Sequence, residues 1–244
     1  MTIPKSHPRY ESLKKRERLI KFYKKGIVAD AGLIAHGRGE AFDYLLGEKT
    51  QAFALEAERA AVALMKISKS PVISVNGNVT ALCAGDIVKL AHLLNAKIEV
   101  NLFYRTEKRI KLIEKEFIKY GYKIYGTVPD AKIPGIEHKR SLVFSGGIYI
   151  ADTVLIPLED GDRAKALKDM GKNIIAIDLN PLSRTAQTAD ITIVDELTRA
   201  IKEMIIISKK DENWNEIIKN YNNKKILSNA LKFIKERLDS LSLL

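Results

Sequence analysis

From residue 71 to 195 the chain alternates short apolar, β-branched runs with segments of helical period, and this alternation restricts the fold more than any other feature. PVISV (71–75), KIEVNLF (97–103), YKIYG (122–126), DTVLIPL (152–158), NIIAIDL (173–179) and DITIVD (190–195) read as strands. Between them TALCAGDIVKLAHLLN (80–95), TEKRIKLIEKEFIKYG (106–121) and RAKALKDMG (163–171) carry apolar residues at helical spacing. Strand, helix, strand at such intervals builds right-handed βαβ units, so the expectation is an α/β chain with a doubly wound, mainly parallel sheet. Residues 128–148, with two prolines and the pair Gly146 and Gly147, read as an irregular insertion.

Helical extensions flank this region. Residues 9–25 form a basic amphipathic pattern with Leu13, Leu19, Ile20 and Phe22 as candidate buried positions, ended by Gly26. GIVADAGLIA then leads into HGRGEAFDYLLGEKT, read as a loop and a short helix, and residues 50–67 return to helical spacing until Ser70 and Pro71 break it. After 196 the pattern is helical to the end, with Trp214 and Tyr221 as expected anchors. No repeat or polar linker divides the chain. A single α/β domain over 1–244 is therefore expected, with an N-terminal helical region (1–67) contributing to the site, a core (70–195) and C-terminal helices (196–244).

With 46% hydrophobic residues, 244 residues suffice for one large core. No stretch approaches the roughly 18 uninterrupted apolar residues of a membrane span, and the basic N-terminus lacks an apolar segment behind it, so a soluble, cytoplasmic protein with no membrane partner is expected. Cys83 is alone and cannot form an intrachain disulfide, which suits a reducing compartment; its apolar setting reads as a packed helix position. The net charge of +11 is concentrated at the start, where Lys5, Arg9, Lys14, Lys15, Arg16, Arg18, Lys21, Lys24 and Lys25 face only Glu11 and Glu17. Such a stripe attracts polyanions, or is a lysine-rich solvated surface. No helix-turn-helix, zinc-ligand spacing or RNP-like aromatic pattern accompanies it, so nucleic acid is not an expected partner.

In an open α/β sheet ligands bind beyond the carboxyl ends of the strands. Four of the strands run into polar groups there: Asn76, Gly77 and Asn78; Tyr104, Arg105 and Thr106; Glu159, Asp160, Gly161, Asp162 and Arg163; Asn180 and Arg184. Turns also use Asn, Asp and Gly, yet four such ends, two with arginine beside a helix start, favour a ligand edge. Helix-start amides suit phosphate oxygens, Arg105 or Arg184 would add charge-assisted bonds, and Asp178 would accept bonds from ribose hydroxyls. Asp160 and Asp162 would hold Mg²⁺ through water or fix the turn. HGRGE sets His36 and Arg38 between glycines, an economical anion contact. GxGxxG and GxxxxGK[ST] are both absent, which argues against a usual dinucleotide site and a P-loop.

Six segments, IPKSHPRYESL, AGLIAHGRGEAFDYLLGE, ISVNGN, KIEVNLFYRTE, LIPLEDGDR and IDLNPLSRTA, closely resemble the archaeal phosphopantothenate synthetase (4-phosphopantoate–β-alanine ligase) family over nearly the whole chain. The resemblance implies a homodimer with a Rossmann-like core. It also implies ATP-dependent joining of 4-phosphopantoate and β-alanine into 4′-phosphopantothenate for coenzyme A biosynthesis, with AMP and pyrophosphate released. Those products imply an acyl adenylate, Mg²⁺ with the ATP, and several negative charges to neutralise. Carried over by position, the ATP contacts fall on Arg16, Arg38, Asp178, Leu179, Asn180, Arg184, Thr185, Glu196 and Leu197. The sequence departs from the family pattern at Glu196, where asparagine is expected, which leaves a backbone contact there. Phosphopantoate is expected at Asn76, Asn101 and Arg105, with His36, Arg38 and Arg105 as the catalytic set. The rival readings are an ATP-binding regulator without chemistry and a basic nucleic-acid-binding protein.

Overall fold

The structure is a computed structural model and describes residues 3–241. Three helices come first, α1 (Tyr10–Lys24), α2 (Asp30–Leu45) and α3 (Ala52–Ile67). The alternating region follows as β1 (Pro71–Val75), α4 (Gly77–Leu93), β2 (Lys97–Val100) and α5 (Glu107–Ile118). A two-stranded antiparallel ribbon, β3 (Ala131–Lys132) and β4 (Leu142–Val143), lies in the insertion. The pattern then resumes as β5 (Thr153–Pro157), α6 (Gly161–Asp169), β6 (Asn173–Ile177), α7 (Arg184–Thr188) and β7 (Ile191–Ile193). The tail is α8 (Leu197–Ile207), α9 (Trp214–Asn220) and α10 (Asn223–Leu241).

The main sheet has the order β2-β1-β5-β6-β7 with every neighbouring pair parallel. This is a Rossmann-like, doubly wound α/β fold. From β1 the chain steps outward to β2, then returns to β5 on the other side of β1. The order reverses between β1 and β5, which opens a crevice at their carboxyl ends.

Successive strand residues serve opposite faces. Ile73, Val75, Leu155, Ile175 and Ile177 join a large core with residues of α1, α3, α4, α5 and α8. Val72, Val154, Ile156, Ile174 and Ala176 join a smaller one with Ile133, Val143 and Ile148 of the insertion and Ala164 and Leu167 of α6. Covering on both faces explains why these strands read as continuous apolar runs and not as alternating ones. Each Val, Leu or Ile so buried contributes about 1.5–3 kcal/mol relative to exposure.

Polar strand ends double as helix caps. Asn76 Oδ1 accepts from the amides of Asn78 (3.0 Å) and Val79 (3.1 Å), Thr106 caps α5 and Ser183 caps α7.

Several expectations change in the folded chain. HGRGE is not a loop: it lies inside α2, because packing of Leu33 and Phe42 against the core outweighs a helix cost of about 1 kcal/mol per glycine. KIEVNLF is a strand only to Val100, and Asp178 lies one residue past the end of β6. YKIYG contributes a single bridge, Tyr125 to Glu99, and no strand. In α1, Leu19 and Phe22 are buried as expected and Leu13 is half-buried, but Ile20 is exposed. Trp214 and Tyr221 pack against the large core.

Candidate functional site

α2 roofs the crevice between β1 and β5. Its position is set by Asn78, whose Nδ2 donates to the Gly32 carbonyl at 2.8 Å. A Cβ on Gly32 would lie 2.3 Å from Asn78 Oδ1, so only glycine permits this approach. Further along α2, Arg199 of α8 forks to Asp43, Nη1 donating at 3.1 Å and Nη2 at 2.5 Å, and Nη2 also reaches Asp195 at 2.6 Å. Under the roof lie two cavities that share Ala35, Asn78 and Leu158 as a common wall.

The first cavity is mainly apolar, walled by Leu82, Leu158, Leu179 and Leu197, with His36, Glu40, Lys15 and Glu196 among its polar groups. Burial lowers the His36 pKa; Glu40 and Glu196 oppose that shift while Lys15 and Arg16 reinforce it, so the ring is neutral near pH 7. Its Nε2 is buried without a hydrogen-bond partner. Burial would raise the Glu40 carboxyl, but hydrogen bonds from Tyr44, Arg16 and Arg9 hold it at about 2. Glu196 caps α8 through the Thr198 amide (3.1 Å) and accepts from Lys15 Nζ at 2.7 Å. Burial works against its charge, and Lys15 and the cap bonds more than offset it.

The second cavity, about 270 Å³, is walled by Arg38, Arg109 and Arg140 together with Asn76, Gly77 and Asp160, and Phe103 and Tyr104 stand exposed on its rim. Arg140 pairs with Glu159 and lies 3.4 Å from Asp160 through Nε. Glu159 also takes an ion pair from Arg163, which is fully buried and donates to Ser74 Oγ at 3.1 Å. Burial lowers both Arg140 and Arg163 to about 10, which leaves each cationic at neutral pH.

The expected nucleotide residues divide between these features. Leu179, Glu196 and Leu197 line the apolar cavity beside His36 of the expected catalytic set, and Arg38, two residues on in α2, lines the arginine cavity. Asp178 accepts from the Asn180 amide (2.9 Å) and the Ser183 hydroxyl, and burial holds its pKa above the usual range while those bonds and Arg38 oppose the shift. Asn180 Oδ1 accepts from the Leu182 amide at 2.9 Å. Arg184 is exposed at the start of α7, and Thr185 donates its hydroxyl to the Glu159 carbonyl at 2.8 Å. Arg16 is held by Glu40 at 3.0 Å.

The expected substrate residues sit one step behind the walls. Asn76 lines the arginine cavity, but its Oδ1 caps α4 and its Nδ2 donates to the carbonyls of Pro157 and Leu158. Asn101 and Arg105 line neither cavity. Asn101 donates to the carbonyls of Arg140 (3.1 Å) and Leu142 (3.2 Å), and Arg105 to those of Gly126 (2.6 Å) and Thr127 (3.1 Å). These two polar side chains turned inward because β2 ends at Val100, and they now fasten the insertion. Asp160 lies beside Arg140 and Asp162 Oδ2 is 3.3 Å from His138 Nε2, and no group of three or more His, Cys, Asp or Glu able to hold a metal occurs among the described residues. This donor set does not fit a resident Mg²⁺.

Arg109, Arg140, Lys15 and Glu40 were not expected. Arg109 and Arg140 reach the crevice from α5 and from the irregular insertion, where nothing local distinguishes them from surface charge. For the basic N-terminus the signal was present: Arg9 and Arg16 pair with Glu40, Lys15 with Glu196 and Lys25 with Glu116, so part of the stripe is matched by carboxylates of the fold.

A family profile described as phosphopantothenate/pantothenate synthetase matches residues 53–237. A 4-phosphopantoate–β-alanine ligase of Thermococcus kodakarensis is 53% identical over 249 residues, covering 99% of this chain and 95% of that protein. Proteins of the same name from Thermococcus onnurineus and Methanosarcina mazei are 52% and 51% identical, each over 98% of this chain and 95% and 97% of their own length.

Proposed function

The chain belongs to the phosphopantothenate/pantothenate synthetase family, and from that premise we propose that it is an ATP-dependent ligase joining 4-phosphopantoate to β-alanine in coenzyme A biosynthesis. One observation carries the reading: an apolar cavity lined by Leu179 and Leu197 and a cavity walled by three arginines meet at Ala35, Asn78 and Leu158, at the strand-order switch point.

The nucleoside of ATP lies against Leu179 and Leu197, with Asp178 and Asn180 at the ribose and Arg38, Arg184 and Arg16 toward the phosphates. The apolar cavity measures about 70 Å³, well below the roughly 300 Å³ of a small-molecule pocket, so α2 has to give as the nucleoside enters. The substrate carboxylate, held in the arginine cavity, attacks the α-phosphorus. An acyl–O–P bond forms, the Pα–O–Pβ bond breaks and pyrophosphate leaves. The amine of β-alanine then attacks the acyl carbon and AMP departs with the bonding electrons. Both steps gather negative charge, and the protein's contribution is positioning and neutralisation by fixed guanidinium groups. His36, neutral and with a buried free Nε2, takes the proton released by the attacking amine. Mg²⁺ comes as part of the ATP complex, since Asp160 is engaged with Arg140 and Asp162 with the His138 ring. The same proposal includes a homodimer, to be tested by sedimentation equilibrium, and action on small molecules with no nucleic-acid partner.

The test is incubation with ATP and each substrate pair while AMP is measured. AMP should appear only when 4-phosphopantoate and β-alanine are both present. Tight ATP binding with no AMP from any acid and amine would leave an ATP-binding regulator in its place.

A further inference from the structure

Resting on the ligase reading, we propose that Arg109 and Arg140 read the phosphate of the acyl substrate, at the mouth of α4, and that Phe103 and Tyr104 cover its branched carbon chain. These residues, and not Arg105, determine the preference for a phosphorylated acid.

Arg109 is clamped at two of its three nitrogens. Its Nε donates to the Ile27 carbonyl at 2.8 Å and its Nη1 to the Tyr104 carbonyl at 3.0 Å. The third, Nη2, lies where it would be 2.7 Å from a Cβ on Gly77, the first residue of α4, and that Cβ would be 2.3 Å from the Ile27 carbonyl oxygen. Glycine at 77 therefore lets a fixed guanidinium press against the first turn of α4, which kinks at Cys83. Arg109 forms no ion pair among the described residues, and burial acts against its charge.

Arg140 closes the opposite wall and is only 7% exposed. Burial acts most strongly against its charge; Asp160 and Asp162 support the charge, and Arg163 and Arg109 repel it. Three guanidinium groups and one carboxylate, Asp160, thus share the cavity wall. Arg140 is already paired with Glu159 and Asp160, whereas Arg38 and Arg109 have no carboxylate at ion-pair distance among the described residues, so the wall keeps an excess of positive charge that suits a dianion, and Arg109 offers Nη2 for a charge-assisted bond to a phosphate oxygen. The Arg140 backbone is itself pinned, its carbonyl accepting from Asn101 Nδ2 at 3.1 Å and the neighbouring Lys139 Nζ donating to the Arg105 carbonyl at 3.2 Å. Asn101 acts through Arg140 and is a positioning residue. On the rim Phe103 packs edge-on against Tyr104, with centroids 4.9 Å apart, and lies 5.8 Å from the Arg140 guanidinium carbon. An apolar rim beside a cationic floor matches an acid whose phosphate is linked through a quaternary, dimethyl-bearing carbon.

The experiment compares native protein with Arg109→Gln and Arg140→Gln by calorimetric titration with 4-phosphopantoate, and by kcat/KM on 4-phosphopantoate and on pantoate. Each variant should lose about 10- to 100-fold in affinity for 4-phosphopantoate and a similar factor in the ratio of the two kcat/KM values. The KM for ATP should stay within about twofold. Inorganic phosphate should compete with 4-phosphopantoate and not with ATP in the native protein, a measurement that stands even if Arg140→Gln does not fold. Unchanged affinity and ratio in a folded Arg109→Gln, or phosphate competing with ATP alone, would overturn the assignment. A native protein that binds 4-phosphopantoate through Arg109 but forms no AMP would instead overturn the ligase reading and leave the phosphate site standing.

Discussion

Arg38 projects from α2 into the arginine cavity, is exposed, and makes no hydrogen bond or ion pair among the described residues. Its charge is felt by Asp178. Such a side chain contributes to ligand neutralisation and little to folding, so Arg38→Ala should lower pyrophosphate release by at least about tenfold with the melting temperature unchanged; equal turnover would remove it from the site. Glu58 is the opposite case. It is fully buried on α3, and burial first, then Asp195 and Glu203, push its pKa up to about 9. The folded protein holds the Glu58 proton more tightly than the unfolded chain does. The stabilisation is complete below the ordinary carboxyl range and is lost as pH rises toward 9, at no more than about 1.4 kcal/mol per pH unit. Thermal melts between pH 5 and 9 should therefore show Glu58→Gln gaining on the native protein as pH rises, and parallel curves would refute a protonated Glu58. Glu58 could not be found in the sequence, where it is one polar position in the alanine-rich run of residues 50–67. Only the packing of α8 against α3 brings Asp195 and Glu203 to it.

At the scale of elements, the turns between strands and helices admit both a ligand reading and a structural one, and the bonds they make within the fold are structural. Asn76 is the clearest instance, capping α4 while fastening the β5 end beside it. Asn76→Ala should cost about 0.5–2 kcal/mol through the lost cap, with a further loss from two unpaired carbonyls, measured by urea unfolding. Asn76→Asp, which keeps the cap, should recover part of that. Gly32→Ala forces α2 away from Asn78 and should raise the KM for ATP by more than the melting temperature falls would suggest. An unchanged KM would mean that α2 does not roof the nucleotide. Legibility followed length. Long periodic helices and the strands 71–75, 152–158 and 173–179 were readable, whereas the helical state of HGRGE was not, because its two glycines oppose a helix that only tertiary contacts stabilise.

For the molecule as a whole, no group of three or more His, Cys, Asp or Glu among the described residues is able to hold a metal, so chelation should act on the substrate complex and not on the fold. EDTA should abolish turnover and leave the melting temperature of the free protein unchanged; a fall in that temperature would point to a structural ion. No helix among the described residues is long and apolar enough to cross a membrane. The sequence by itself determined the α/β class, the parallel sheet, the edge that carries the polar groups and the family, because hydrophobic period and unusual segments are properties of neighbouring residues. Tertiary structure alone decided which arginines face the crevice. Arg109 and Arg140 come from a helix and an insertion far apart in sequence, while Arg105 turns inward, because the direction of a side chain depends on where its strand ends and what packs behind it.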